Sequence, residues 1–348
     1  MVTACRDFWD GRAILVKHRR CHYASMACYL DRATDERANA FRATRGTKRA
    51  EFCAMDTRAV NWSWRGKTIR LGSTEGGSGR IILLLPAFSS ISTRHEMRPL
   101  QERLAREYST FCIDWPGFGN EARPQIDWTP EVYAAFLSFL FTSVVRQPHA
   151  IIAAGHAAGY VLKHAASTPQ VTPRLVLIAP TWRGPLPTMM GGHRPFFNRL
   201  CRLVDSPIIG PLIYWLNVNP LVVRRMGAGH VYADRDYLVG ERLSEKLAVV
   251  RAGGARFASV RFVTGRLDPL ASREEFLKCA QRAMAPILVI YGSETPQRSR
   301  AEIEALAAHP GISSVRLPRG KLSVHEEFAD ATVEAIAPFL REMPTPIE

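Results

Sequence analysis

The sequence predicts an α/β fold, with a mostly parallel central sheet covered by helices and a helical cap inserted late in the chain. Three observations carry this. Short, uninterrupted apolar runs at Arg80–Leu85, His149–Ala154 and Ile287–Tyr291 have the character of strands buried on both faces. Stretches with helical spacing separate such runs, and that alternation calls for parallel crossovers. From about Trp182 to Met284 no comparable run occurs, only amphipathic helical stretches, as expected of an insertion.

Taken in order, Ala59–Trp64 and Lys67–Gly72 flank Arg65-Gly66 and read as a hairpin. A Gly/Ser loop leads to the strand Arg80–Leu85, a helix over Met97–Tyr108 and a strand over Thr110–Asp114. Thr129-Pro130-Glu131 marks a helix start, with a hydroxyl at the cap, proline at the first position and an acid in the first turn. That helix runs to about Val145 and is followed by the strand His149–Ala154, a further helix and the strand Arg174–Ile178. After the insertion come Ile287–Tyr291, a helix near Ser299–His309, a strand at Ser314–Leu317 and a closing helix near Glu326–Arg341. The chain thus divides into an extension, 1–54, a core made of 55–181 and 285–343, and a cap, 182–284.

The extension carries eleven Lys/Arg against six Asp/Glu and has no sustained period. It is expected to be disordered or to precede a functional start at Met55; its acids argue against a transit peptide. Over the whole chain, 47% hydrophobic residues suffice for a large core, and no apolar run reaches the roughly 18 residues a membrane span needs. The net charge of +14 is scattered and comes with no zinc-finger, RRM or helix-turn-helix signature, so no nucleic-acid partner is expected. Seven cysteines without CxxC or metal-ligand spacing read as free thiols in a reducing, cytoplasmic setting, and neither metal nor cofactor is expected.

Gly155-His156-Ala157-Ala158-Gly159 has the G-x-S-x-G spacing of a nucleophile turn between strand and helix, with alanine where the attacking serine would stand. A methyl group cannot attack a carbonyl. Three further marks follow the same order: Leu85-Pro86-Ala87-Phe88 after one strand, Asp114-Trp115-Pro116-Gly117-Phe118-Gly119 after the next, and Leu322–Phe328 around His325. On these marks the chain resembles the α/β-hydrolase superfamily over about 59–341, and the expected architecture is the α/β-hydrolase fold with a helical cap.

The resemblance implies roles. Ala157 holds the nucleophile position and is inert, His325 is the base, and Glu294 in Gly292-Ser293-Glu294-Thr295-Pro296 is the acid, preferred over Asp268 in Gly265–Pro269. Backbone N–H groups of Phe88 and Ala158 form the oxyanion hole. Ser89, His95, Trp115, His156 and Trp182 line a ligand pocket. Three functions are compatible with this set. The chain is an inactive or atypical hydrolase that binds an apolar, lipid-like small molecule; or an enzyme using His325 as general base with the amide donors; or a hydrolase with a relocated hydroxyl, Ser89 or Ser90. The last has poor geometry, since a hydroxyl on the oxyanion loop approaches from the donors' side. In the cap, Pro195–Val204 and Ile208–Val223 mix aromatic, aliphatic and basic residues at helical spacing, which reads as cap core or as a surface for peripheral membrane contact.

Overall fold

The structure, a computed structural model, describes residues 55–168 and 173–342; the expectation for 1–54 lies outside them. Strands β1 (Asp56–Trp64) and β2 (Lys67–Gly76) form the hairpin, longer than the sequence suggested. Its turn residues Arg65 and Gly66 both have positive φ, 47° and 78°, as a two-residue turn matched to strand twist requires. Strands β3 (Ile81–Leu85), β4 (Ser109–Ile113), β5 (Ala150–Ala154), β6 (Arg174–Ile178), β7 (Ile287–Gly292) and β8 (Ile312–Leu317) complete an eight-stranded sheet of order β1-β2-β4-β3-β5-β6-β7-β8. Only the β1–β2 and β2–β4 pairs are antiparallel.

Alternation along the strands builds two cores. Leu83, Leu85, Ile151, Ala153, Leu175, Leu177 and Val289 face one side, against α2 (Pro130–Phe139), α3 (Ala157–Ser167), α10 (Arg273–Arg282) and α11 (Gln297–Ala307). Ile82, Leu84, Ile152, Ala154, Val176, Ile178 and Ile290 face the other, against α1 (Arg98–Leu104) and α13 (Ala329–Arg341). The apolar runs are continuous because both faces are covered.

Between β6 and α10 lie the inserted helices α4 (Pro185–Met190), α5 (Phe196–Asp205), α6 (Ile209–Val218), α7 (Pro220–Met226), α8 (Gly240–Arg251) and α9 (Ala255–Val263). The sequence placed the cap as far as residue 284. In the structure α10 packs on α3 in the core layer, so the insertion ends with α9 and the loop after it. The insertion is tied to the loop after β4 at Arg123, whose buried guanidinium donates to the carbonyls of Gly119, Val249 (3.1 Å) and Ala255 (3.3 Å). Thr129 stands at the N-cap of α2 as expected, though its side chain makes no capping bond.

Candidate functional site

The parallel strands end at one edge of the sheet, where the loops after β3, β5, β7 and β8 converge. After β5 the chain reverses at Gly155, whose φ of +52° lies in the left-handed region that favours glycine. Its N–H donates to Ile178 O at 2.8 Å, and its carbonyl accepts from Ala158 N and Thr181 N. Ala157 comes two residues later, fully buried as the first residue of α3. The sharp bend therefore falls at 155, not 157, and carries no side chain. A Cβ there would sit 3.1 Å from Cβ of Ala87, so the loop after β3 faces the bend directly.

This register changes the amide donors. Ala158 N–H is bonded to Gly155 O at 3.2 Å within the first turn and is not free, contrary to the expected oxyanion role. The residue following the bend is His156. Its N–H and that of Phe88 make no hydrogen bond among the described residues, which leaves these two as the available pair.

His325 stands at the start of the four-residue helix α12 (Val324–Glu327) and is 1% exposed. Glu294 does not reach it. That side chain is exposed, and both ring nitrogens of His325 lack a hydrogen-bond partner. The neighbouring Thr295 points inward instead, its hydroxyl donating to Gly292 O at 2.8 Å. The carboxylate facing the imidazole is Glu96, 3.5 Å from Nε2, which sequence reasoning missed. Glu96 is 1% exposed and accepts from Ala87 N at 2.7 Å, so it sits between the histidine and the loop opposite the bend. Burial pushes its pKa up, but His325, Lys246 and Ser92 outweigh that and hold it below the ordinary value. Lys246, from α8, is itself buried and pairs with Glu326 at 3.0 Å, and Tyr232 donates to the same carboxylate at 2.7 Å.

Glu96 is positioned by the aspartate of the D-x-x-G-x-G run. Asp114 accepts from the backbone N of Arg94 at 2.6 Å and from its guanidinium at 2.5 Å, anchoring the 3₁₀ turn Arg94–Met97 that carries Glu96. Gly119, at φ +87°, is required because a Cβ would lie 2.6 Å from Asp114 Cγ.

The expected pocket walls divide. Phe88, 2% exposed, packs its ring against Trp115 (4.5 Å), Phe118 (5.0 Å), Tyr133 (4.9 Å), Tyr160 (5.1 Å) and His156 (5.7 Å). Trp115 and His156 thus belong to an aromatic wall beside the bend. Trp182 is a strut, donating to Glu302 at 3.1 Å. Ser89 is partly accessible and its hydroxyl accepts from Ile91 N. His95 lies elsewhere, on a surface cleft of about 590 Å³ that Tyr237, Arg242 and Phe328 also line. Among the described residues no group of three His, Cys, Asp or Glu is placed to hold a metal ion.

Asp268 forms a second cluster. Its Oδ1 accepts from Gly184 N at 2.8 Å, and His156 Nε2 and His193 Nε2 lie 3.5 and 3.4 Å from its two oxygens. Burial raises its pKa to about 8 and lowers that of His156 to about 4, so at neutral pH the carboxyl is protonated and the imidazole neutral. A carboxyl raised from 3.8 to about 8 contributes stability that is full below pH 3.8 and lost as pH rises through 8. Asp268→Asn keeps the neutral bonding pattern and removes this loss. Denaturant titrations are expected to show the variant more stable than wild type at pH 8, by about 2–5 kcal/mol, with a flatter profile. A profile parallel to wild type's would contradict the assignment.

A family model described as the alpha/beta hydrolase family matches residues 82–335. The chain belongs to that family. A search of curated proteins finds no match. Similar solved structures include a thermophilic esterase from Thermogutta terrifontis, at 18% identity and TM-score 0.63, covering 82% of this chain and 98% of that one. A hydrolase from Pseudomonas aeruginosa is similar at 18% identity and TM-score 0.62, with 82% and 99% covered. A bromoperoxidase from Bacillus anthracis follows at 15% and 0.61, with 82% and 100% covered. At these identities the likeness establishes the fold alone.

Proposed function

We propose that this protein uses the hydrolase scaffold without a covalent intermediate, holding an apolar or lipid-like small molecule noncovalently at the sheet edge beneath the cap. The observation that carries this reading is the bend itself. Its left-handed residue, Gly155, offers no attacking atom, and no hydroxyl is bonded to either nitrogen of His325. In a serine triad the histidine Nε2 takes the nucleophile's proton, whereas here that nitrogen faces Glu96. The aromatic wall around Phe88 supports an apolar ligand, and Gly155, Ala87 and Ser89 remain partly accessible at its rim. Cys112, Cys201 and Cys279 are buried free thiols, which fits a cytoplasmic setting.

A second reading is favoured by the Glu96–His325 contact. A carboxylate beside a buried imidazole supports a general base, with the amides of Phe88 and His156 stabilising the charge left on a substrate oxygen. The relocated-hydroxyl reading has no comparable support, since neither Ser89 nor Ser90 is bonded to His325.

Mass spectrometry distinguishes the readings. Solvent extraction of protein purified without detergent is expected to yield a stoichiometric apolar compound, and intact mass is expected to stay unchanged after incubation with p-nitrophenyl butyrate. An acyl adduct on the wild-type chain would overturn the noncovalent reading. Turnover that falls by about 10²-fold or more in His325→Ala would favour the general base.

A further inference from the structure

The cap presents an apolar and basic face that the core does not cover. Among the described residues, eleven of the fourteen large exposed hydrophobic side chains lie between Met189 and Met226, including Ile208 (85% exposed), Leu221 (77%) and Trp215 (60%). Helix α6 is almost wholly apolar, yet only Gly210 in it is buried, pressed so close to α5 that a Cβ would meet Val204 O at 2.1 Å. Its Ile209, Leu212 and Leu216, spaced i, i+3, i+7, form one outward stripe beside Trp215. On α5, Phe197, Cys201 and Val204 turn inward, leaving Phe196, Arg199, Arg202 and Leu203 outside. Helices α5, α6 and α7 pack in sequence, so these residues share one region of surface.

Charge identifies the occupant. Arg194, Arg199, Arg202, Arg224 and Arg225 are exposed, and none makes an ion pair with another described residue. The one acid between residues 189 and 226, Asp205, is engaged by Arg261 through two bonds of 2.9 Å. A second copy of the chain would set these arginines against their own images. An anionic surface would neutralise them while taking up the apolar stripe.

From this geometry we infer that the α5–α7 face docks on an anionic lipid bilayer, lying in the interface rather than crossing it. No helix among the described residues is long and apolar enough to span a membrane. An interfacial helix needs instead a strongly two-faced surface with basic residues beside exposed aliphatic and aromatic side chains, as found here. The inference is independent of the site chemistry, because none of its residues touches the bend, His325 or Glu96.

Flotation with vesicles of phosphatidylcholine, with and without phosphatidylserine, tests it. Wild-type protein is expected to float with the anionic vesicles only, and less so as salt is raised. Each arginine near the surface is worth about five-fold in partitioning, so Arg224→Gln with Arg225→Gln is expected to weaken partitioning by about 25-fold. Ile208→Ser with Trp215→Ser, both at exposed positions, is expected to abolish it. Equal recovery on neutral and anionic vesicles would overturn the inference, as would variants that float like wild type. So would lipid-free dimers that the same substitutions disperse, since the face would then belong to a second copy.

Discussion

Gly155→Ser is expected to be labelled by a fluorophosphonate probe, and Ala157→Ser is not, while the wild-type chain stays unlabelled. At 155 the new hydroxyl would emerge at the left-handed bend, opposite Ala87. At 157 it would lie within the first turn of α3, fully buried, with the adjacent Ala158 N–H already bonded. Residue 155 is partly accessible and residue 157 fully buried, so the probe is expected to reach the first variant's hydroxyl and not the second's. The added Cβ comes within 3.1 Å of Ala87, and Gly155→Ser combined with Ala87→Gly relieves that contact should the single variant misfold. Labelling of Ala157→Ser alone would restore the register that the G-x-S-x-G spacing suggests.

Asp114→Ala is expected to cost about 3–5 kcal/mol, because it strands the Arg94 guanidinium in a site where both partners are buried. Denaturant unfolding measures this directly. Asp114→Asn is expected to cost less than the alanine variant, because an amide keeps the side chain's volume and one acceptor, although the carboxylate accepts from the Arg94 backbone and guanidinium through both oxygens. The comparison separates loss of charge from loss of shape. Equal losses in the two variants would mean that the ion pair, rather than the hydrogen-bonded scaffold of the 3₁₀ turn, holds Glu96 in place.

The sheet was legible because strands covered on both sides must be apolar at every position, and β3, β5, β6 and β7 are nearly so. The site was less so, for three physical reasons. Spacing of small residues fits two registers in Ala153–Gly159, and only the backbone dihedral at Gly155 decides between them. Glu96, flanked by Arg94, His95 and Arg98, has the pattern of a solvated turn, and nothing local announces that Asp114 folds the turn inward. The loop after β7 turns Thr295 into the interior through its bond to Gly292 O, which leaves Glu294 outside. Sequence could supply the identity of His325, whose place at the closing helix follows from chain order, but not the partner that crosses from another loop.

The guanidinium of Arg123 has a mechanical consequence. By clamping the carbonyls of Val249 and Ala255 to the loop of Gly119, it makes α8 and α9 a fixed buttress, with the Lys246–Glu326 pair as a second rivet. Helix α5 is bonded to that buttress, Asp205 accepting twice from Arg261 of α9, whereas α6 and α7 share none of these fastenings. Deuterium uptake should therefore split the insertion in two, with the amides of α8 and α9 exchanging together with the sheet and those of α6 and α7 much sooner. The insertion would then loosen from its outer edge, while the inner helices stay seated.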